Sequence, residues 1–156
     1  MSLKQFGKKI VGKEYPERPG VYAVIFNERG EVALVEVQNK YYFLPGGGID
    51  GGEADKDALR REMQEETGYD IDIIDEIGDA RDYVVSLKQD IYFNKIGKFF
   101  LGRLSAHSGG KKEDDHTLIW INPKDAKEKM YQESHWWAIE EALKRSLVTS
   151  RRTPKY

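Results

Sequence analysis

The sequence predicts an α/β fold in which a mixed β-sheet lies between helices. Strand-like apolar runs stand both before and after one central helical segment, without the regular strand–helix alternation of a parallel sheet. The 156 residues are 39% hydrophobic and 33% charged, which is typical of a folded chain in water. This length suits one domain. We therefore expect a single domain over residues 1–156.

Composition excludes several classes of protein. The 25 basic and 27 acidic residues leave a net charge of −2, so no nucleic-acid partner is expected from a strongly basic face. The absence of cysteine excludes disulfides, thiolate metal sites and a cysteine nucleophile. No apolar stretch is long enough to span a membrane. The start of the chain lacks the apolar segment of a signal peptide, so we expect a cytoplasmic protein.

The N-terminal part of the chain is predicted to contribute short strands. Residues 1–20 read as a peripheral arm or an edge strand, because they end in a turn-rich stretch. Two apolar runs, Val21–Phe26 and Val32–Val37, flank a turn and predict a β-hairpin. A third strand, Tyr41–Leu44, is stopped by Pro45.

One central helix is predicted over Glu53–Thr67. This segment has good helix formers throughout and no internal glycine or proline. Asp55 and Asp57 lie in the first turns, where the helix dipole favours negative charge. Gly68 follows as the expected C-terminal cap.

The C-terminal half is predicted to hold more strands and the remaining helices. Ser105–Asp115 is expected to form a long loop or hairpin tip, and Pro123 suits the start of a helix. A final helix is predicted over Glu133–Leu147, and residues 150–156 form a frayed tail. One face of that helix carries Trp136, Ile139, Leu143 and Leu147. The expected strands are Ile71–Ile77, Ile91–Phe93, Phe99–Leu104 and Thr117–Ile121.

Acidic residues are concentrated in and around the central helix. Residues 47–70 hold eight acids against three basic residues, although the whole chain is nearly neutral. At about 100° per residue, Glu62, Glu65 and Glu66 share an arc of about 100° that borders the apolar stripe. A hard divalent cation such as Mg²⁺ would relieve the repulsion among these carboxylates. A solvated helix face remains the alternative on this evidence alone.

Five glycines precede this helix between positions 46 and 52. Such a loop before a helix N-terminus leaves backbone groups accessible to phosphates. It lacks the Gly-Lys-Ser/Thr ending of a P-loop. The pattern G-x-G-x-x-G is present from Gly46 to Gly51, but it follows a short aromatic strand that ends at Pro45. Too little chain remains for a doubly wound sheet and a substrate region, so a dinucleotide site is disfavoured.

The same residues spell a longer pattern. Gly47 is followed after five residues by Glu53 and after seven more by Arg61, and the run Arg61–Tyr69 reads REMQEETGY. This resembles the Nudix box, G-x5-E-x7-R-E-U-x-E-E-x-G-U, in which U is a bulky aliphatic residue. All seven fixed positions match, and the one departure is Tyr69 in place of an aliphatic residue.

The resemblance implies a Nudix-type α/β/α sandwich with a mixed sheet. It also implies hydrolysis of a nucleoside diphosphate linked to another moiety, with Mg²⁺ as cofactor and Mn²⁺ as a possible substitute. The residues that match metal-binding positions of the family are Glu62, Glu65, Glu66 and the Gly46 carbonyl.

The expected catalytic group comprises Glu62, Arg61, which positions the glutamates, and the peripheral Glu53. A general base is also needed, and Glu113 is the candidate that we favour from the later acidic loop. We expect substrate contacts from Gly47 and Gly48 of the loop and from the aromatic residues Tyr42 and Phe43. The three histidines, His107, His116 and His135, are given no role.

Substrate identity is left open between several classes. The favoured one is a nucleoside triphosphate, oxidised or not. The alternatives are a dinucleoside polyphosphate or nucleotide-sugar hydrolase, and a non-catalytic Nudix-fold nucleotide sensor. The expected partner is thus a small nucleotide, with no membrane contact, and the chain is a monomer or a homodimer.

Overall fold

The structure is a computed structural model that describes residues 4–85, 91–111 and 113–152, with side chains up to residue 145. These ranges contain eight strands and three helices. In chain order they are β1 (Lys4–Phe6), β2 (Glu17–Ile25), β3 (Val32–Val37), β4 (Tyr41–Phe43), β5 (Gly46–Gly48), α1 (Asp55–Thr67), β6 (Tyr69–Val85), β7 (Tyr92–His107), β8 (His116–Ile121), α2 (Pro123–Lys129) and α3 (Glu133–Arg152).

The strands form two sheets. The larger has the order β1-β6-β7-β2-β5 and the smaller the order β4-β3-β8. The larger sheet is mixed, because β2 runs parallel to β7 and β1 parallel to β6, while the other pairs are antiparallel. The α/β class with a mixed sheet is therefore confirmed.

Helices cover both faces of the sheets and enclose two apolar clusters. One cluster joins α1, through Leu59 and Met63, to one face of β2 and β7. The other joins α3, through Ile139 and Ala142, to the opposite face. Successive residues of β2 alternate between the two clusters, so all of its apolar half is buried. This places the start of β5, the neighbour of β2, close to both helical layers.

The predicted hairpin of Val21–Phe26 with Val32–Val37 is wrong. A single bridge, Phe26 to Val32, joins the two segments, and the chain then passes from the larger sheet into the smaller. The physical reason is burial on both faces: a strand with continuous apolar residues takes a central position between two partners. β2 lies between β7 and β5, and β3 lies between β4 and β8.

Two long strands replace three of the predicted short ones. Ile71–Ile77 is part of β6, which has 17 residues, and Ile91–Phe93 and Phe99–Leu104 belong mostly to β7, which has 16. Polar residues interrupt the apolar pattern of both strands, and shifts of register break the pairing of β6. The glycine segment Gly46–Gly48, expected as a loop, forms strand β5.

The helix predictions agree with the structure apart from their ends. α1 begins two residues later than expected and ends at Gly68, which has φ 80° and donates its N–H to the Gln64 carbonyl. α2 begins at Pro123, as predicted, and α3 continues beyond Leu147 to Arg152. Trp136, Ile139 and Leu143 pack on the core, whereas the side chain of Leu147 lies outside the described residues.

The N-terminal arm contributes the edge strand β1, and β2 begins four residues before the predicted start. Residues 1–3 and the last part of the predicted tail, 153–156, lie outside the described residues. No helix in the described ranges combines the length and apolar character needed to cross a membrane.

Candidate active site

Strand β5 presents backbone groups to helix α1. In an antiparallel strand, alternate residues turn their N–H and C=O groups to the same side. The Gly46 N–H donates to Glu66 Oε1 at 2.9 Å, and the Gly48 carbonyl accepts from Arg61 Nη2 at 3.0 Å. The Gly46 carbonyl belongs to the same side of the strand, so it is available near the α1 carboxylates.

A side chain would collide with its surroundings at two positions of this strand. Gly46 has φ 144°, and a Cβ there would lie 2.8 Å from the Tyr22 Cα and collide with the Val21 carbonyl. At Gly47 a Cβ would lie 2.5 Å from the Glu62 Cδ. The glycine segment therefore exists in this form because α1 and β2 approach it so closely.

Arg61 is the hub of an ion-pair network. Its Nε and Nη2 donate to Glu53 at 2.8 and 2.9 Å, and its Nη1 donates to Glu62 at 2.9 Å and to Glu65 at 3.2 Å. These bonds lower the pKa of the Glu53 carboxyl and raise the pKa of Arg61. Glu53 also accepts from the Asp50 N–H at 2.9 Å, so the network ties the glycine loop to α1.

Two carboxylates of α1 are partly or almost wholly buried. Glu66 is only 6% exposed, and burial raises its pKa against the lowering effect of its hydrogen bonds to His116 and Gly46. Burial likewise raises the pKa of Glu62, despite its bond to Arg61, and the charges of Glu66 and Glu113 add to the rise. The site therefore concentrates negative charge that the neighbouring cations only partly neutralise.

A cluster from three separate segments completes the site. His116 Nδ1, at the start of β8, lies 2.8 Å from Glu66 Oε2 and 2.9 Å from Glu113 Oε2. Ligand atoms of these three residues lie within 4.8 Å of one another. The Glu113 N–H donates to the Glu65 carbonyl at 3.3 Å, which holds the acidic loop against α1.

The donor set of this cluster fits a hard divalent cation. The bond to Glu66 raises the pKa of His116, and a proton on its Nδ1 is taken up in that bond. One N–H cannot also satisfy Glu113, and within the described residues the buried Glu113 Oε2 has no hydrogen-bond donor. Carboxylate and carbonyl oxygens are the ligands that Mg²⁺ and Mn²⁺ prefer.

The structure brings together some of the predicted metal ligands and separates others. Glu66 lies in the cluster with Glu113, the base predicted from the acidic loop. Glu62 lies beside it, with one oxygen on Arg61, whereas Glu65 is engaged by Arg61 and contributes its backbone carbonyl to the loop. His116 was missed by sequence reasoning, because its partner Glu66 is 50 positions away along the chain.

The predicted substrate contacts lie on two strands, Gly47 and Gly48 on β5 of the larger sheet and Tyr42 and Phe43 on β4 of the smaller. Gly47 faces Glu62, and Gly48 is exposed with open space beside it. Tyr42 donates its hydroxyl to Glu36 Oε2 at 2.7 Å, which raises the Tyr42 pKa. The half-buried Phe43 ring packs against Tyr131, at 5.5 Å between centroids.

His135 contacts Leu44 and Tyr22 next to the glycine strand. This residue is fully buried, and burial lowers its pKa to about 3, so the ring is neutral. Its Nδ1 accepts from the Leu44 N–H at 3.0 Å, and its ring lies 4.5 Å from the ring of Tyr22. Burial above all, and then the charges of Glu66 and Glu62, raise the pKa of Tyr22.

The chain is similar in sequence to known proteins. A sequence model of the NUDIX domain matches residues 16–149. The chain is 29% identical over 152 residues to the RNA pyrophosphohydrolase of Bartonella bacilliformis, covering 90% of this chain and 88% of that protein. It is 29% identical over 109 residues to a putative 8-oxo-dGTP diphosphatase of Bacillus subtilis, covering 67% of this chain and 66% of that protein.

The fold has solved counterparts as well. A NUDIX hydrolase from Nitrosomonas europaea superposes with a TM-score of 0.67 at 19% identity, covering 81% of this chain and 88% of that one. At that identity the likeness concerns the fold, and it places an α/β/α arrangement of this kind among NUDIX structures.

Proposed function

The chain belongs to the NUDIX domain family of pyrophosphohydrolases, and we propose that it hydrolyses a phosphoanhydride bond in the 5′-polyphosphate of a nucleotide with a bound divalent cation. The observation that carries the proposal is the cluster of Glu66, Glu113 and His116, in which the buried Glu113 Oε2 has no hydrogen-bond donor among the described residues. Such a group of oxygens suits a cation and the phosphates that accompany it.

Mg²⁺ is the proposed cofactor, and Mn²⁺ is the expected substitute. Glu62, Glu66 and the Gly46 carbonyl would hold the ion, with Glu65 behind them on Arg61 and Glu113 beside them as the base. When bound, the ion would polarise a phosphoryl oxygen and neutralise charge that develops on the leaving phosphate.

The proton of the attacking water is assigned to Glu113. Its Oε2 is free of donors within the described residues and lies 2.9 Å from His116 Nδ1. A carboxylate oxygen without a competing donor can take a proton from a water within hydrogen-bond reach. His116 acts here as a positioning residue that holds Glu66 and Glu113 together.

Arg61 and Glu53 have positioning roles in this scheme. The guanidinium fork fixes Glu62 and Glu65 in one orientation while Glu53 anchors the fork to the loop. A preorganised set of charges avoids reorganisation during the reaction. Gly47 and Gly48 are proposed to lie along the phosphates, with Tyr42 and Phe43 toward the base.

A nucleoside triphosphate, oxidised or not, is the first proposed substrate. The Bacillus relative is named for an oxidised deoxynucleoside triphosphate, and its match includes 67% of this chain. The reaction requires only a 5′-polyphosphate at the cluster, so the group attached beyond the nucleoside is chosen by other surfaces.

The 5′-triphosphate end of an RNA is the second candidate. The Bartonella relative that matches 90% of this chain is named an RNA pyrophosphohydrolase. The chemistry at the cluster is the same for both candidates, and the difference lies in whether a polynucleotide follows the 5′ nucleotide.

A substrate panel tests the proposal. Phosphate and pyrophosphate release is measured from nucleoside triphosphates, an oxidised dGTP, 5′-triphosphorylated RNA, diadenosine polyphosphates and nucleotide sugars, each with Mg²⁺ and with chelator. We expect turnover of a 5′-triphosphate that chelator abolishes. A folded protein that binds nucleotide with metal but hydrolyses none of these would instead be a nucleotide sensor.

A further inference from the structure

The N-terminal arm is a basic segment on an acidic chain. Between residues 4 and 18 there are five basic residues and two glutamates, whereas the whole chain carries a net charge of −2. The basic residues are Lys4, Lys8, Lys9, Lys13 and Arg18.

The arm is folded onto one end of the larger sheet. The Pro16 carbonyl accepts from the Asn94 N–H at 2.9 Å, and the Tyr15 hydroxyl accepts from the Ile10 N–H at 2.9 Å. Gly7 lies so close to β6 that a Cβ there would be 2.7 Å from the Tyr83 carbonyl oxygen. The positions of the arm's side chains are therefore set by the sheet.

Three tyrosines and two lysines form a cluster between the arm and the sheet, here called the arm cluster. The Tyr15 ring lies 5.0 Å from Tyr83 and 5.5 Å from Tyr92, in edge-to-face arrangement. Lys9 Nζ lies 5.8 and 5.9 Å from the Tyr15 and Tyr83 ring centroids, and Lys13 Nζ lies 5.3 Å from that of Tyr92. Both lysines are exposed.

Interleaved rings and ammonium groups suit a single-stranded nucleic acid. Bases of any sequence stack on aromatic rings, while lysines along the same path neutralise phosphates. An oligomeric polyanion gains from both features at once.

Strand β2 connects the arm cluster to the active site. Gly20 of β2 pairs with Gly48 of the glycine strand, and Tyr15 precedes it by five residues. At about 3.3 Å per residue the separation along the strand is at most about 17 Å. Arg18 lies on this path, with its guanidinium 4.2 Å from the Phe93 ring centroid. A stacked strand covers such a distance in about five nucleotides.

We propose that the arm cluster, with Arg18, is a docking surface for the single-stranded RNA that follows a 5′-polyphosphate held at the active site. The proposal rests on the second candidate of the proposed function, and it identifies the part of the protein that would distinguish RNA from free nucleotides. Ile10 and Val11 are 51% and 98% exposed beside the cluster, so an anionic lipid surface is the competing occupant that the experiment must separate.

Binding is measured first, with an RNA that the active site cannot hydrolyse. A fluorescent 5′-hydroxyl octanucleotide is titrated in an anisotropy assay with wild type, Lys9→Gln/Lys13→Gln and the matched control Lys56→Gln/Lys144→Gln. The control removes the same charge from exposed lysines of α1 and α3. We expect binding to weaken about tenfold in the arm variant only, with a salt slope reduced by about 1.4. Tyr92→Leu should weaken binding about fivefold or more.

Two results would overturn the docking surface. One is equal binding by wild type and the arm variant, or equal loss in the control. The other is wild-type binding to phosphatidylserine vesicles without binding to the octanucleotide.

Hydrolysis separates this proposal from the proposed function. With 5′-triphosphorylated RNAs of two and eight nucleotides, we expect a lower KM for the longer RNA in wild type, and loss of that advantage in the arm variant without change in kcat. Octanucleotide binding without hydrolysis of either RNA would refute RNA hydrolysis and leave the docking surface standing. Hydrolysis with no length dependence would refute the docking surface alone.

Discussion

Substitution of Gly47 by alanine is expected to move Glu62, the proposed catalytic carboxylate, while leaving the backbone free to keep its shape. An added Cβ would lie 2.5 Å from the Glu62 Cδ, whereas an ordinary contact begins at 3.4 Å. The backbone of Gly47 is not in the left-handed region, so the strain falls on the Glu62 side chain. That side chain must shift by about 1 Å, and its 2.9 Å bond to Arg61 is disturbed.

The geometry sets the size of each effect. A displacement of about 1 Å in a catalytic group costs about 100-fold in rate, which is about 2.7 kcal/mol in the activation barrier. The Arg61–Glu62 pair is partly exposed, and such a pair contributes at most about 1 kcal/mol to folding. Gly47→Ala should therefore lose activity by about two orders of magnitude while its free energy of unfolding falls by less than about 1 kcal/mol.

A glycine of the same loop supplies the control. A Cβ at Gly51 meets nothing within 4 Å, and its φ is not in the left-handed region, so Gly51→Ala should retain wild-type kcat. The assay is steady-state pyrophosphate release at saturating metal on the best substrate of the panel, with urea unfolding of the same samples. Equal kcat in both variants would refute the placement of Glu62 in the catalytic group.

Three further predictions concern the carboxylates, the buried histidine and the glycine strand. Glu66→Gln keeps an acceptor for the Gly46 N–H but loses a charge, so kcat should fall at least about 100-fold with no loss of stability. Steady-state kinetics and urea unfolding of the same samples test this prediction. An unchanged kcat would contradict the proposed metal site. His135 has a folded-state pKa of about 3 against an ordinary 6.5. Between these values the unfolded chain binds more protons than the folded chain, so the free energy of unfolding falls as the pH falls. Between pH 7 and pH 5 this histidine should cost about 2 kcal/mol of unfolding free energy. Urea titrations should show that contribution in wild type and not in His135→Asn; parallel pH profiles would refute it. Gly46→Ala would place a side chain on a residue with φ 144° and against β2. It should therefore destabilise the fold by at least about 2 kcal/mol, which urea unfolding would measure as a lower midpoint. An unchanged midpoint would show that β5 tolerates a side chain.

The central helix was predictable because its determinants are local. Good helix formers, the C-terminal glycine and the spacing of Arg61 to the glutamates all lie within one short stretch. The ion pair between Arg61 and Glu53 joins residues eight positions apart, and both residues belong to the same spaced motif. The wrong hairpin prediction shows the limit of such local reasoning. Two apolar strands joined by a turn do not pair with each other when each already lies between two other strands, as β2 and β3 do.

The overall charge hides local differences in charge along the chain. A net charge of −2 averages an acidic catalytic helix with a basic arm, and the expectation that no nucleic acid binds came from that average. Only the folded chain shows that the basic residues of the arm lie beside tyrosines from β6 and β7.

By itself, the sequence determined the fold class, the family and the glutamates of α1, because helix periodicity and motif spacing are properties of neighbouring residues. The tertiary structure alone decided which groups meet at the site. His116 and Glu66 are 50 positions apart, and they touch because β8 passes the end of α1. Contacts of that kind depend on how strands and helices pack, and packing is set by burial over the whole chain and not by any local pattern.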